Sequence, residues 1–141
     1  MDAKYESSYN VGLVGASLGA ASFIFASFFG IVIIRIHTIS AAESTFYLIS
    51  IGVLLLLAAT AMGFTGAVML KRLKNNGAKL FIVAGLISLL SLIPGTAAML
   101  TTLGHDDGQS FLGLLVPFST ALPSAVLLFI SGLTLLRKHN L

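Results

Sequence analysis

Residues 64–79 read Phe64-Thr65-Gly66-Ala67-Val68-Met69-Leu70-Lys71-Arg72-Leu73-Lys74-Asn75-Asn76-Gly77-Ala78-Lys79. An apolar run ends at Leu70, four bases (Lys71, Arg72, Lys74 and Lys79) follow, and a second apolar run starts at Leu80. Asn75-Asn76-Gly77 is turn chemistry, because Asn and Gly tolerate the positive φ found just past a helix end. The stretch therefore predicts two long apolar segments joined by a short basic tip.

Outward from that tip the pattern repeats. Upstream, residues 45–70 carry no charge, with Phe46 and Tyr47 at their entry as interfacial anchors. Downstream lie two further uncharged runs, 80–103 and 111–136, separated by Gly104-His105-Asp106-Asp107-Gly108. A fourth, 11–34, sits near the start of the chain, preceded by the polar tail MDAKYESSYN and followed by a polar link from Arg35 to Glu43. Crossing a hydrocarbon layer of about 30 Å takes roughly 20 helical residues, so each run is long enough to span. The first is also longer than the apolar core of a signal peptide, about 7–15 residues, and is read as a retained helix.

Composition agrees. Hydrophobic residues make up 57% of the 141 and charged residues 9%. Soluble domains carry about 25% charged residues, so the apolar surplus must face lipid. The two-residue alternation of a transmembrane β-barrel is absent. Helices satisfy every backbone polar group internally, as lipid requires. The expected fold is all-α: a four-helix transmembrane bundle with antiparallel neighbours and short loops, a single integral membrane domain over residues 1–141.

Four spans put both termini on one side, with Lys4, Lys71, Arg72, Lys74, Lys79, Arg137 and Lys138; the other side holds Arg35, Glu43, Asp106 and Asp107. That asymmetry predicts cytoplasmic termini in a prokaryotic inner membrane. Lys71, Arg72, Lys74, Lys79, Arg137 and Lys138 then anchor the topology and meet lipid headgroups, each base contributing about 1 kcal/mol near an anionic surface. Bases confined to helix ends, with no extended polar domain, argue against nucleic-acid binding.

The ends of the second and fourth spans match in class without a gap. Phe64-Thr65-Gly66-Ala67-Val68-Met69-Leu70-Lys71-Arg72 aligns with Ile130-Ser131-Gly132-Leu133-Thr134-Leu135-Leu136-Arg137-Lys138. A duplicated helix pair about an axis along the membrane normal would superpose Gly66 on Gly132. The first and third spans align poorly. The segments KLFIVAGLISLLSLIPG (79–95) and LPSAVLLFISGLTLLRK (122–138) also resemble a family of small four-helix membrane proteins of bacteria and archaea, catalogued as a domain of unknown function. The resemblance covers roughly Leu54 to Lys138. It implies a four-helix membrane fold and no activity, cofactor or site residue.

The spans lack Asp, Glu, Lys, Arg and His. Intramembrane ionisable groups mark proton relays, ion paths and voltage sensors, so those functions are disfavoured. Small residues recur instead: Gly12, Gly15, Ala16 and Gly19 in the first span, and Ala59, Gly63 and Ala67 in the second. Such residues let helix backbones approach closely, either inside the bundle or against another chain. Phe23, Phe25, Phe28 and Phe29 cover several faces of the first span, so some of them face lipid, a pigment or quinone, or a subunit. Pro94-Gly95 interrupts the third span, and Pro117 and Pro123 fall in the fourth. Ser91, Thr96, Ser119 and Thr120 stand ready to support kinks, and Ser88, Ser91, Thr96, Thr101 and Thr102 to line a small polar cavity.

His37, His105, Asp106 and Asp107, with Glu43, share the outer side, and His and carboxylates together can bind a metal ion such as Zn or Cu. They lack the spacing of a known metal motif. With no cysteine, thiolate chemistry is excluded. No nucleophile elbow, phosphate-binding glycine loop or intramembrane carboxylate pair is present, so no enzyme activity and no cofactor are expected. The expectation is a structural or accessory subunit of a membrane complex, in contact with lipids and with other subunits or itself. The alternative is a small transporter or channel for a neutral or apolar solute, acting as a homo-oligomer.

Overall fold

The computed structural model describes residues 3–36, 42–72, 76–102 and 109–139, with side chains over 6–31, 47–72, 76–100 and 114–137. The described chain forms four helices: α1 (Ala3–Ile36), α2 (Ala42–Lys71), α3 (Asn76–Thr102) and α4 (Gln109–His139). Each holds a stretch long and apolar enough to cross a membrane: Glu6–Ile31, Tyr47–Lys71, Asn76–Leu100 and Leu114–Arg137. At 1.5 Å per residue these reach roughly 36–39 Å, enough for a bilayer core of about 30 Å with some tilt. The pattern is that of a multi-pass membrane protein.

Two boundaries differ from the sequence reading. The polar tail is helical from Ala3, because residues 3–10 contain neither Gly nor Pro to stop a helix. Ser131 Oγ donates a short hydrogen bond to the Ser8 carbonyl, fastening this extension to α4. Gly77, expected in a turn, is the second residue of α3 and is buried. Its backbone lies against that of α2, where a Cβ would stand 2.5 Å from the Gly66 carbonyl oxygen. It serves close approach rather than a left-handed turn.

Successive helices pack side by side, and α4 closes back on α1. Gly12 of α1, Phe81 of α3 and Ser131 of α4 meet near one end of the bundle, where Gly66 of α2 also meets Phe81. The start of α1 and the end of α4 therefore share that end, as four antiparallel helices require. Lys71, Arg72, Lys79 and Arg137 are exposed there.

All four helices are apolar around most of their circumference, so hydropathy does not mark the inner face. Size does. Every buried residue among the described side chains of α1 is small: Gly12, Gly15, Ala16, Gly19, Ser22, Ala26 and Gly30. Large apolar side chains such as Ile24, Phe28, Ile31, Leu54 and Ile93 point outward and are 60–68% exposed. Lipid removes the hydrophobic drive between helices, so close backbone approach does the packing.

The interior forms two apolar clusters. The one near the basic end is centred on Phe81 with Leu70, Leu128 and Leu135. The far one is centred on Phe118 with Ile49, Leu56 and Leu114. Phe118 fits because Gly95 presents bare backbone to its ring, and a Cβ there would overlap it. The expected interruption at Pro94-Gly95 does not occur: α3 runs through Pro94, and α4 through Pro117 and Pro123. Proline leaves an acceptor free one turn back. Beside these prolines, hydroxyls back-bond to helix carbonyls, Ser91 to Ser88 (2.6 Å), Ser119 to Val116 (3.0 Å) and Thr120 to Pro117 (2.8 Å).

Candidate functional site

Between the two apolar clusters lies a layer of hydroxyls drawn from all four helices. Ser22, Ser88, Ser91 and Ser124 are buried, and Thr60 and Thr120 are half-buried. Buried hydroxyls in an apolar interior need partners. Ser22 Oγ pairs with Thr120 Oγ1 at 2.7 Å; one hydroxyl donates to the other, which turns its own proton to a carbonyl of its own helix, Leu18 for Ser22 (2.9 Å) or Pro117 for Thr120 (2.8 Å). Ser124 Oγ donates across the α1–α4 interface to the Gly15 carbonyl at 2.6 Å. Thr60 Oγ1 donates to its own helix at Leu56. Among the described residues, Ser88 Oγ is the one buried side-chain polar atom without a partner.

Gly19 makes room for this layer. A Cβ built there would stand 3.0 Å from Ser124 Oγ and 3.5 Å from Thr60 Oγ1. Of the residues expected to line a polar cavity, Ser88 and Ser91 belong to the layer. Thr96 is exposed on the outer face of α3, and the side chains of Thr101 and Thr102 lie outside the described set. The contributions of Thr60 and Ser124 were not legible in the sequence. A hydroxyl in an apolar helix usually bonds to its own backbone, and only the facing Gly19 hints otherwise.

The small residues expected at an interface make their contacts within this chain. Gly12 lies against Phe81, and Gly15 against Leu127 and Leu128. Ala16 faces Gly63, where a Cβ on the glycine would stand 3.1 Å from that of Ala16. Ala59 is buried, and Ala67 belongs to the cluster around Phe81. Among the basic anchors, Lys74 and the side chain of Lys138 lie outside the described residues. The metal candidates His37, His105, Asp106 and Asp107 do so too. Among the described residues no group of three or more His, Cys, Asp or Glu gathers.

Among the described residues, grooves open on the outer surface at two places. One, of about 270 Å³, lies between α1 and α2 in the half away from the bases, lined by Ala26, Ser27, Gly30, Ile31, Ile49 and Ser50. Around α1 from this groove stands a phenyl ridge, in which Phe28 meets Phe29 edge-on (centroids 5.5 Å apart) and Phe25 stacks on Phe29 (6.5 Å); none of the three lines the groove. Phe25 and Phe28 are exposed, whereas Phe23 packs against the inner cluster around Phe118. The other groove, of about 480 Å³, lies between α1 and α4 at the basic end.

Comparison with family models, curated proteins and solved structures finds no match to this chain.

Proposed function

We propose that this protein is a non-enzymatic structural or accessory subunit of a membrane complex, working through helix contacts on its outer surface. The observation that carries the reading is the Phe25–Phe28–Phe29 ridge on α1, with Phe25 and Phe28 exposed on the outer surface. These rings form a bulky outward ridge, a shape that fits the groove of another transmembrane helix. The glycines of α1 already pack inside the bundle, so these outward rings are where a partner helix gains contact.

In this reading the termini and the basic end face the cytoplasm of a prokaryotic inner membrane, held by Lys71, Arg72, Lys79 and Arg137 with Lys4, Lys74 and Lys138. Residues 11–34, 45–70, 80–103 and 111–136 carry no Asp, Glu, Lys, Arg or His, which favours a role that moves no charge. Copurification from native membranes in mild detergent tests the proposal. A stoichiometric partner that is lost when Phe25 and Phe28 become Ala supports it. A lone homo-oligomer that passes solute in liposomes refutes it.

One observation favours the second reading, a transporter or channel for a neutral solute. The hydroxyl layer at mid-bundle gathers four of the buried serines of the described interior, with Ser88 Oγ unpartnered. In that reading an oligomer opens the packed clusters on either side of the layer.

A further inference from the structure

Glu6 is the only acidic side chain among the described residues, and it stands at the end of the bundle that exposes Lys71, Arg72, Lys79 and Arg137. None of these bases pairs with it; its nearest distinctive feature is the α1–α4 groove of about 480 Å³ that it lines. The lining is graded. Glu6, Ser7 and Asn10 form the outer part, and Val11, Val14 and Leu127 the deeper part. From Glu6 to Val14 is eight residues of helix, about 12 Å along the axis. That distance crosses from headgroup level into the hydrocarbon.

A carboxylate in the first turn of a helix is favoured by the helix dipole wherever it points. The dipole does not account for a polar-to-apolar groove running inward from it. We propose that this groove binds a phospholipid with a primary-amine headgroup. The Glu6 carboxylate accepts N–H bonds from the ammonium, Ser7 and Asn10 donate to phosphate or ester oxygens, and the first part of an acyl chain lies along Val11, Val14 and Leu127. Charge complementarity selects the headgroup. An anionic lipid meets repulsion at Glu6, and a trimethylammonium headgroup offers no N–H to the carboxylate. The proposal stands independently of the partner-subunit reading, which concerns the Phe25–Phe28–Phe29 ridge in the other half of the bundle.

The test uses the full chain in vesicles of equal parts phosphatidylethanolamine, phosphatidylcholine and phosphatidylglycerol, followed by mild extraction and native mass spectrometry of the retained lipid. The expected result is about tenfold enrichment of phosphatidylethanolamine, the scale of one charge-assisted hydrogen bond. Glu6→Gln, at an exposed position, abolishes the enrichment while other lipids remain. Val14→Trp, also at an exposed position, fills the groove and removes the retained amine lipid with the fold intact by circular dichroism. Equal retention of the three lipids, enrichment that survives Glu6→Gln, equal competition by the choline lipid, or preference for the glycerol lipid would each overturn the proposal.

Discussion

Gly66 and Gly132 close on the same first turns of α3 from two sides. A Cβ on Gly66 would stand 2.9 Å from the Gly77 carbonyl oxygen, and one on Gly132 would stand 2.8 Å from that of Ala78. The two matched segments thus do the same job, letting a neighbouring backbone reach α3. They do not do it symmetrically. A two-fold exchange of α1–α2 with α3–α4 would carry the Gly66–α3 contact onto a Gly132–α1 contact. Gly132 packs on α3, so the similarity of the segments does not extend to two-fold packing.

Because the opposing atoms are backbone, they cannot turn aside for an added methyl. Gly66→Ala and Gly132→Ala should each destabilise the bundle by about 1–3 kcal/mol. The double variant should depart from additivity, since both strain the same turns. Unfolding in mild detergent measures this, with Ala61→Val on the exposed face as a neutral control. Unchanged stability in both glycine variants contradicts the clamp.

The hydroxyl layer separates hydrogen bonds that join helices from those that do not. Ser124→Ala removes the α4–α1 bond to Gly15 and should cost about 0.6 kcal/mol, the average for such bonds in membranes, and at most about 1.7. Ser17→Ala removes only a back-bond to Leu13 on an exposed face and should change nothing measurable. A double-mutant cycle on Ser22 and Thr120 should return a coupling of similar size. Equal effects at positions 17 and 124 would contradict the assignment.

Ser88 should behave in the opposite sense. Its hydroxyl is fully buried without a partner, and an unsatisfied polar group costs roughly 1–3 kcal/mol. Ser88→Ala should therefore leave stability unchanged or raise it. A clear loss would mean that the hydroxyl holds a partner, and would strengthen the solute-path reading.

The number of helices was legible because charge vanishes over four long runs, and nothing else in protein chemistry produces that. Orientation about each helix axis was not. In α1, Ile24 and Phe28 are as apolar as anything in the core yet face outward, while Gly15, Gly19 and Ser22 face inward, so residue size rather than hydropathy carries the signal. The role of Gly77 was not legible either, because Asn-Gly suits a turn in water, and the helical start at Ala3 is fastened by the Ser131–Ser8 contact, which joins residues far apart in the sequence. Which neighbour a small-residue ladder meets depends on helix order, which spacing alone does not contain.

The topology gives a separate prediction. A reporter active only in the cytoplasm, fused after Leu141, should be active, and the same reporter placed in the loop holding His105 should be silent. The charge asymmetry, seven bases against Arg35, is the reason. The reverse pattern would invert the orientation of the bundle.

The central claim is that the outer half of α1 meets another polypeptide. Photo-crosslinking in native membranes tests it most directly, with the photoreactive residue placed in turn at Phe28 on the exposed ridge and at Val126 on the exposed face of α4. The account predicts a discrete protein adduct from position 28 and lipid adducts alone from position 126. Lipid adducts alone from both positions, with solute flux through the purified protein, would contradict it.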